Sequence, residues 1–152
     1  MSIISDTTSG STHADAFVDE RMRGFSDATR RDVRAFAEAF FSRDYEPPPP
    51  ERLDWFLDDL DDFIGRLNPR SRGLFHLIMA VPTYVAPMYV KHVGRLADLP
   101  LRGRIHALEA LEASPLGLPL FAAKAMVSLV YYEHPDSARE IGWDQRCQGA
   151  PS

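Results

Sequence analysis

Helical apolar periodicity cut by proline constrains this chain more than any other feature. Apolar residues recur every three or four positions along most of its length, no long alternating run competes, and proline-bearing junctions divide the pattern into helix-sized pieces. Ser26 is placed to cap the first long piece, in which Val33, Phe36, Ala37, Phe40 and Phe41 share one face. The run Pro47 to Pro50 then interrupts helical bonding, because each proline lacks a donor and disfavours α geometry in the residue before it. Beyond it, Leu53, Phe56, Leu57, Leu60, Ile64 and Leu67 form a second stripe, with Glu51, Asp54, Asp58, Asp59, Asp61 and Asp62 mostly off it.

Asn68 and Pro69 end that helix, and Ser71 is placed to help begin the next apolar element, which kinks or restarts at Pro82 and Pro87. Further helices are predicted over Ala86 to Leu96, over Leu101 to Leu111 and over Leu118 to Tyr132. The last is apolar on nearly all sides except at Lys124 and Ser128, which places it at the centre of a bundle or under a partner. An earlier piece around Ala14 to Gly24 reads as a short separate helix. The pattern therefore predicts an all-α fold, a compact single-domain bundle of about five to seven helices over residues 15–147. A disordered N-terminal tail is expected over residues 1–14 and a flexible C-terminus over residues 148–152.

With 152 residues and 45% hydrophobic composition the chain can bury a core of its own, and it shows no internal repeat. Its net charge of −5 argues against binding a phosphate backbone, which depends on clustered Lys and Arg, so no nucleic-acid partner is expected. The single cysteine, Cys147, excludes an intrachain disulfide and a cysteine-rich zinc site, and reads as incidental rather than reactive. The segment Leu74 to Val90 is the most membrane-like, yet two prolines and His76 interrupt it, so it reads as a core or interface segment. The twin arginine Arg30-Arg31 lacks a following apolar run and reads as the polar face of a helix. A cytoplasmic location is expected, or a periplasmic one if a partner exports the chain.

Candidate chemistry is sparse. Asp54, Asp58 and Asp62 at i, i+4, i+8 line one helix face, but neither a calcium-loop pattern nor a Glu-x-x-His pair accompanies them, so they read as a solvated face. His13, His76, His92, His106 and His134 form no two-histidine metal motif at helical spacing. Phosphate loops, dinucleotide fingerprints, nucleophile elbows and haem-attachment motifs are all missing. No catalytic, cofactor-binding or metal-binding residue is therefore assigned.

The C-terminal block is the distinctive one. From Phe121 to Trp143 an apolar helix ends in the pair Tyr131-Tyr132, followed by Glu133-His134-Pro135, a short polar helix and Ile141-Gly142-Trp143. Pro135 is placed to stop one helix and Gly142 the next, with Trp143 anchoring the end against the core. Tyrosine and tryptophan also suit an interface, since each carries a polar handle on an apolar body. Together with Leu96 to Arg104 (LADLPLRGR) and Leu108 to Ser114 (LEALEAS), this block resembles the small-subunit family of gluconate 2-dehydrogenase. Members of that family, its third-subunit type, accompany large flavoprotein dehydrogenases of the glucose-methanol-choline class.

The resemblance implies a non-catalytic accessory subunit that binds and stabilises a flavin-dependent alcohol or sugar dehydrogenase or oxidase. FAD would belong to that partner and none to this chain alone. Tyr131, Tyr132, His134 and Trp143 are the candidate contact or packing residues. Two other readings stand beside it: a stand-alone ligand-binding protein or enzyme with a pocket near His76, Tyr84 and His106, and a membrane-surface protein using Leu74 to Val90.

Overall fold

The computed structural model describes residues 24–143. The end segments 1–14 and 148–152, the helix expected to start at Ala14, His13 and Cys147 all lie outside that span.

Helix α1, Asp27–Phe40, starts where the Ser26 side chain accepts a hydrogen bond from the Thr29 N–H, which is the cap expected from sequence. Its Val33, Phe36 and Ala37 face is buried. The chain then reverses through a two-residue turn, with Arg43 and Glu46 exchanging backbone hydrogen bonds of 2.9 and 2.8 Å around Asp44 and Tyr45. Both central residues are left-handed, at φ 52° and 63°, as a type I′ turn requires. The Arg102 guanidinium covers the Tyr45 ring at 4.3 Å.

Helix α2, Pro50–Arg66, takes Pro50 at its first position, where the missing donor costs nothing, and buries Leu53, Phe56, Leu57, Leu60 and Ile64. Helix α3, Pro69–Ala80, corrects one expectation: its cap is Asn68, whose side chain accepts from the Ser71 N–H at 2.9 Å, so Ser71 supplies only the donor. Neither Pro82 nor Pro87 breaks the helical path beyond α3. The chain widens into a π turn, Val81–Val85, and resumes as helix α4, Ala86–Tyr89, with the Ala86 N–H reaching back five residues to the Val81 carbonyl. One extra residue per turn takes up the register that two donor-less prolines disturb, so the helical path, here called the α3–α4 rod, continues without a break from Pro69 to Tyr89.

The helix predicted over Ala86 to Leu96 stops at Tyr89 instead. Lys91 turns left-handed at φ 58°, the His92 N–H returns to the Pro87 carbonyl at 3.0 Å and the Lys91 N–H to Met88 at 3.1 Å. That pair of bonds is a Schellman closure with lysine where glycine is usual. A single 3₁₀ turn, Leu96–Asp98, leads into helix α5, Leu101–Glu112, and then helix α6, Gly117–Tyr131. Helix α7, Pro135–Glu140, ends in a second Schellman closure with Gly142 at φ 78°.

Counting the α3–α4 rod once, the described residues form six helices and no strand, an all-α bundle as predicted. One core unites them, built on Phe36, Phe56, Phe75, Leu111, Leu120 and Val127. Helix α6 packs on α2, α3 and α5, and buries Leu120, Ala123, Val127, Val130 and Tyr131. Its opposite side, carrying Leu118, Phe121 and Leu129, is bare.

Candidate functional site

The structure divides the roles of the C-terminal candidates: Tyr131 and Tyr132 share one aromatic cluster, while His134 and Trp143 have separate surroundings. Tyr131 is a packing residue: it is 3% exposed, stacks on Phe41 at 3.7 Å and meets Phe56 edge-on at 5.9 Å. Its hydroxyl accepts from the Arg52 guanidinium at 3.4 Å, and Arg52 also binds Glu140 at 2.6 Å, tying α2, α6 and α7. Burial desolvates Arg52, yet hydrogen bonds to Glu140 and Tyr131 hold its pKa above the ordinary value. Tyr132 is half-buried and edge-on to Tyr131 and Phe41.

His134 is an N-cap. Its Nδ1 accepts from the Asp136 N–H at 3.2 Å while its ring meets Trp55 edge-on at 4.8 Å, which fixes the entry to α7. Trp143 does not anchor the end against the core as its position predicted. It is 51% exposed beside the exposed Ile141, because the closure at Gly142 turns the chain outward after one short helix. Of the four candidates, then, Trp143 presents the most surface and Tyr131 almost none.

A larger surface lies along α6. Leu118, Phe121, Ala125 and Leu129 recur at helical spacing on its outer side, and Phe121 and Leu129 are 67% and 73% exposed. The start of α3 and the end of α6 line the same groove, and α6 also reaches the π turn, so the two helices run antiparallel. Exposed Leu74 and Leu77 therefore stand on the helix next to that row, and Phe63 adds a third apolar edge from α2. Between α2, α3 and α6 the groove encloses about 460 Å³ over a floor of Leu60, Ile64, Phe75, Met126 and Val130. Asp59 and Glu133 are the charged residues in its lining.

These apolar residues were only half legible. The all-round apolar character of α6 pointed to a partner or a bundle centre, and the helix buries one side in the core while the other stays bare. Phe63, set among Asp61, Asp62 and Gly65 off the α2 stripe, was the overlooked signal: a large aromatic on a polar face.

The acidic row is occupied by arginines of the same chain. Asp54 binds Arg34 at 2.6 Å, Asp58 binds Arg30 and Asp62 binds Arg66, so the first two latch α1 to α2. Among the described residues no group of three or more His, Cys, Asp or Glu is placed to hold a metal ion. No helix among them is long and apolar enough to cross a membrane.

The trio of His76, Tyr84 and His106 is split. His76 and Tyr84 share a cavity of about 220 Å³ with Thr29, Asp32 and Thr83, whereas His106 is on α5 outside that lining. Asp32 binds Arg95 at 3.1 Å through one oxygen, while its other oxygen is buried without a partner. Desolvation by burial raises its pKa above the ordinary value, against the pull of Arg95 and Arg31.

No family model, curated protein or solved structure matches this chain.

Proposed function

We propose that this protein is a non-catalytic helical subunit whose α3–α6 face docks on a larger partner, and that the partner is a flavin-dependent alcohol or sugar dehydrogenase or oxidase. One observation carries the docking half: Leu74, Leu77, Leu118, Phe121 and Leu129, all large and apolar, are exposed on two neighbouring antiparallel helices. Proteins in water rarely leave a row of that kind uncovered without a use for it. The flavoprotein half rests on the resemblance carried by the LADLPLRGR, LEALEAS and YYEHP words.

The mechanism is mass action. A subunit that binds only the folded catalytic chain stabilises it by about 2.7 kcal/mol when present at a hundred times its Kd. FAD, the catalytic base and substrate choice would all belong to the partner. To test this, the tagged full-length chain is isolated from its own cells and the eluate examined by mass spectrometry and absorption. A stoichiometric flavoprotein with flavin bands is the expected result; a flavin-free eluate, or one in which the chain is alone, would refute the assignment.

A further inference from the structure

We propose that the cavity walled by α1, α3 and the π turn binds a small neutral polyol, a molecule between glycerol and a monosaccharide in size. The inference goes beyond the partner reading and does not rest on it, because none of Leu74, Leu77, Leu118, Phe121 and Leu129 lines this cavity.

Several polar groups on the cavity wall are left without hydrogen bonds. Thr83 is only 4% exposed, yet its hydroxyl bonds to nothing among the described residues, and the same holds for the Tyr84 hydroxyl and the His76 ring. A threonine hydroxyl in a helix commonly returns to the backbone carbonyl one turn back, so a free one on a cavity wall is open to a ligand. Asp32 Oδ1, buried without a partner, leaves the α1 wall short of a donor as well. The π turn contributes Thr83 and Tyr84 in succession, and π turns set within α-helices are frequent at functional sites.

Charge and shape select the ligand class. Around Asp32 the acids and bases balance: Arg95 pairs with it at 3.1 Å, Arg31 is a second cation acting on it and Asp98 a second carboxylate. Neither an anionic nor a cationic ligand therefore finds an unmatched charge to pair with. The Arg95 guanidinium also lies 5.6 Å from the Tyr84 ring centroid, so one side chain holds both Asp32 and Tyr84 in place. Hydroxyl and imidazole groups each donate and accept, which is the bonding that a ligand hydroxyl offers in return. Val33, Met79 and Ala80 complete the lining with apolar surface suited to the C–H groups of such a molecule. At about 220 Å³ the cavity falls below the about 300–1,000 Å³ of drug-sized sites, which bounds the ligand from above.

The test is a saturation-transfer NMR titration of the full-length protein with glycerol, xylitol and D-glucose, beside lactate and ethanolamine as small charged hydroxyl compounds. Transfer to at least one of the three polyols, and to neither charged compound, is expected. Thr83→Val removes a hydroxyl that bonds nothing among the described residues, so the denaturation midpoint should hold or rise while polyol binding weakens about tenfold. Tyr84→Phe, at a side chain 48% exposed, should weaken binding in the same sense, and it carries the test should Thr83→Val fail to fold. No transfer to any polyol, equal transfer to lactate or ethanolamine, or undiminished polyol binding by the folded variants would each overturn the proposal.

Discussion

Single residues of this chain are spent mainly on holding helix ends and crossings. Lys91 shows it at the close of α4, where its left-handed φ of 58° strains an L side chain that a glycine would not. Lys91→Gly should therefore stabilise the protein by about 0.5–1 kcal/mol, read as a shift in urea midpoint at constant slope. Asp32 gives a pH signature. Its folded pKa is raised by desolvation, so the folded state holds that proton more tightly than the unfolded chain. The associated stability is present below the unfolded value, about 3.9, and lost as pH rises through the higher folded value. Measured against Asp32→Asn, the wild type should lose ground as pH rises from about 3.9 towards neutrality; a margin that grew with pH would contradict the burial argument. The residues that make the C-terminal third distinctive have equally local duties. Arg104 clamps the Leu99 and Ala97 carbonyls and pairs with Glu38 at 2.6 Å, His134 caps α7 and Tyr131 fills the core. Sequence marked them as unusual, but a cap, a clamp and a contact use the same residue types, and only geometry separates them.

Among the helices, period and punctuation carried most of the fold. The stripes of α1, α2, α5 and α6 fall where apolar spacing put them, because a helix face that must be buried is written directly into the sequence. The region from Asn68 to Asp98 was harder, for three separate reasons. Asn68 both ends one helix and caps the next, Pro82 and Pro87 are absorbed by a π turn, and α4 closes on a lysine that gives no C-cap signal. The first of these is easily checked: Asn68→Ala should destabilise by about 1 kcal/mol while Ser71→Ala has little effect, since the cap acceptor is lost only in the former. Equal losses in a pair of denaturation curves would return the capping role to Ser71. The candidate surface was half legible for a related reason. Apolar residues all round α6 announce burial on every side but do not say which side the same chain covers, and that depends on how α2 and α3 cross it.

The described residues divide into an inward half that packs the core and an outward apolar face on α3 and α6. Ion pairs of α1 with α2, and the Arg52 link from α2 to α6 and α7, tie the bundle together away from the exposed Leu77 and Phe121. If that face is the docking surface, charge placed on it must disrupt binding and spare the fold. Leu77→Glu with Phe121→Glu alters two side chains that are 68% and 67% exposed, so the protein should keep its helicity and denaturation midpoint. The measurement is the amount of flavoprotein retained per mole of tagged chain, compared with wild type. Loss of at least tenfold in retention from a normally folded variant, equivalent to about 1.4 kcal/mol of association, is predicted; retention equal to wild type would show that the partner sits elsewhere and that this face is not the interface.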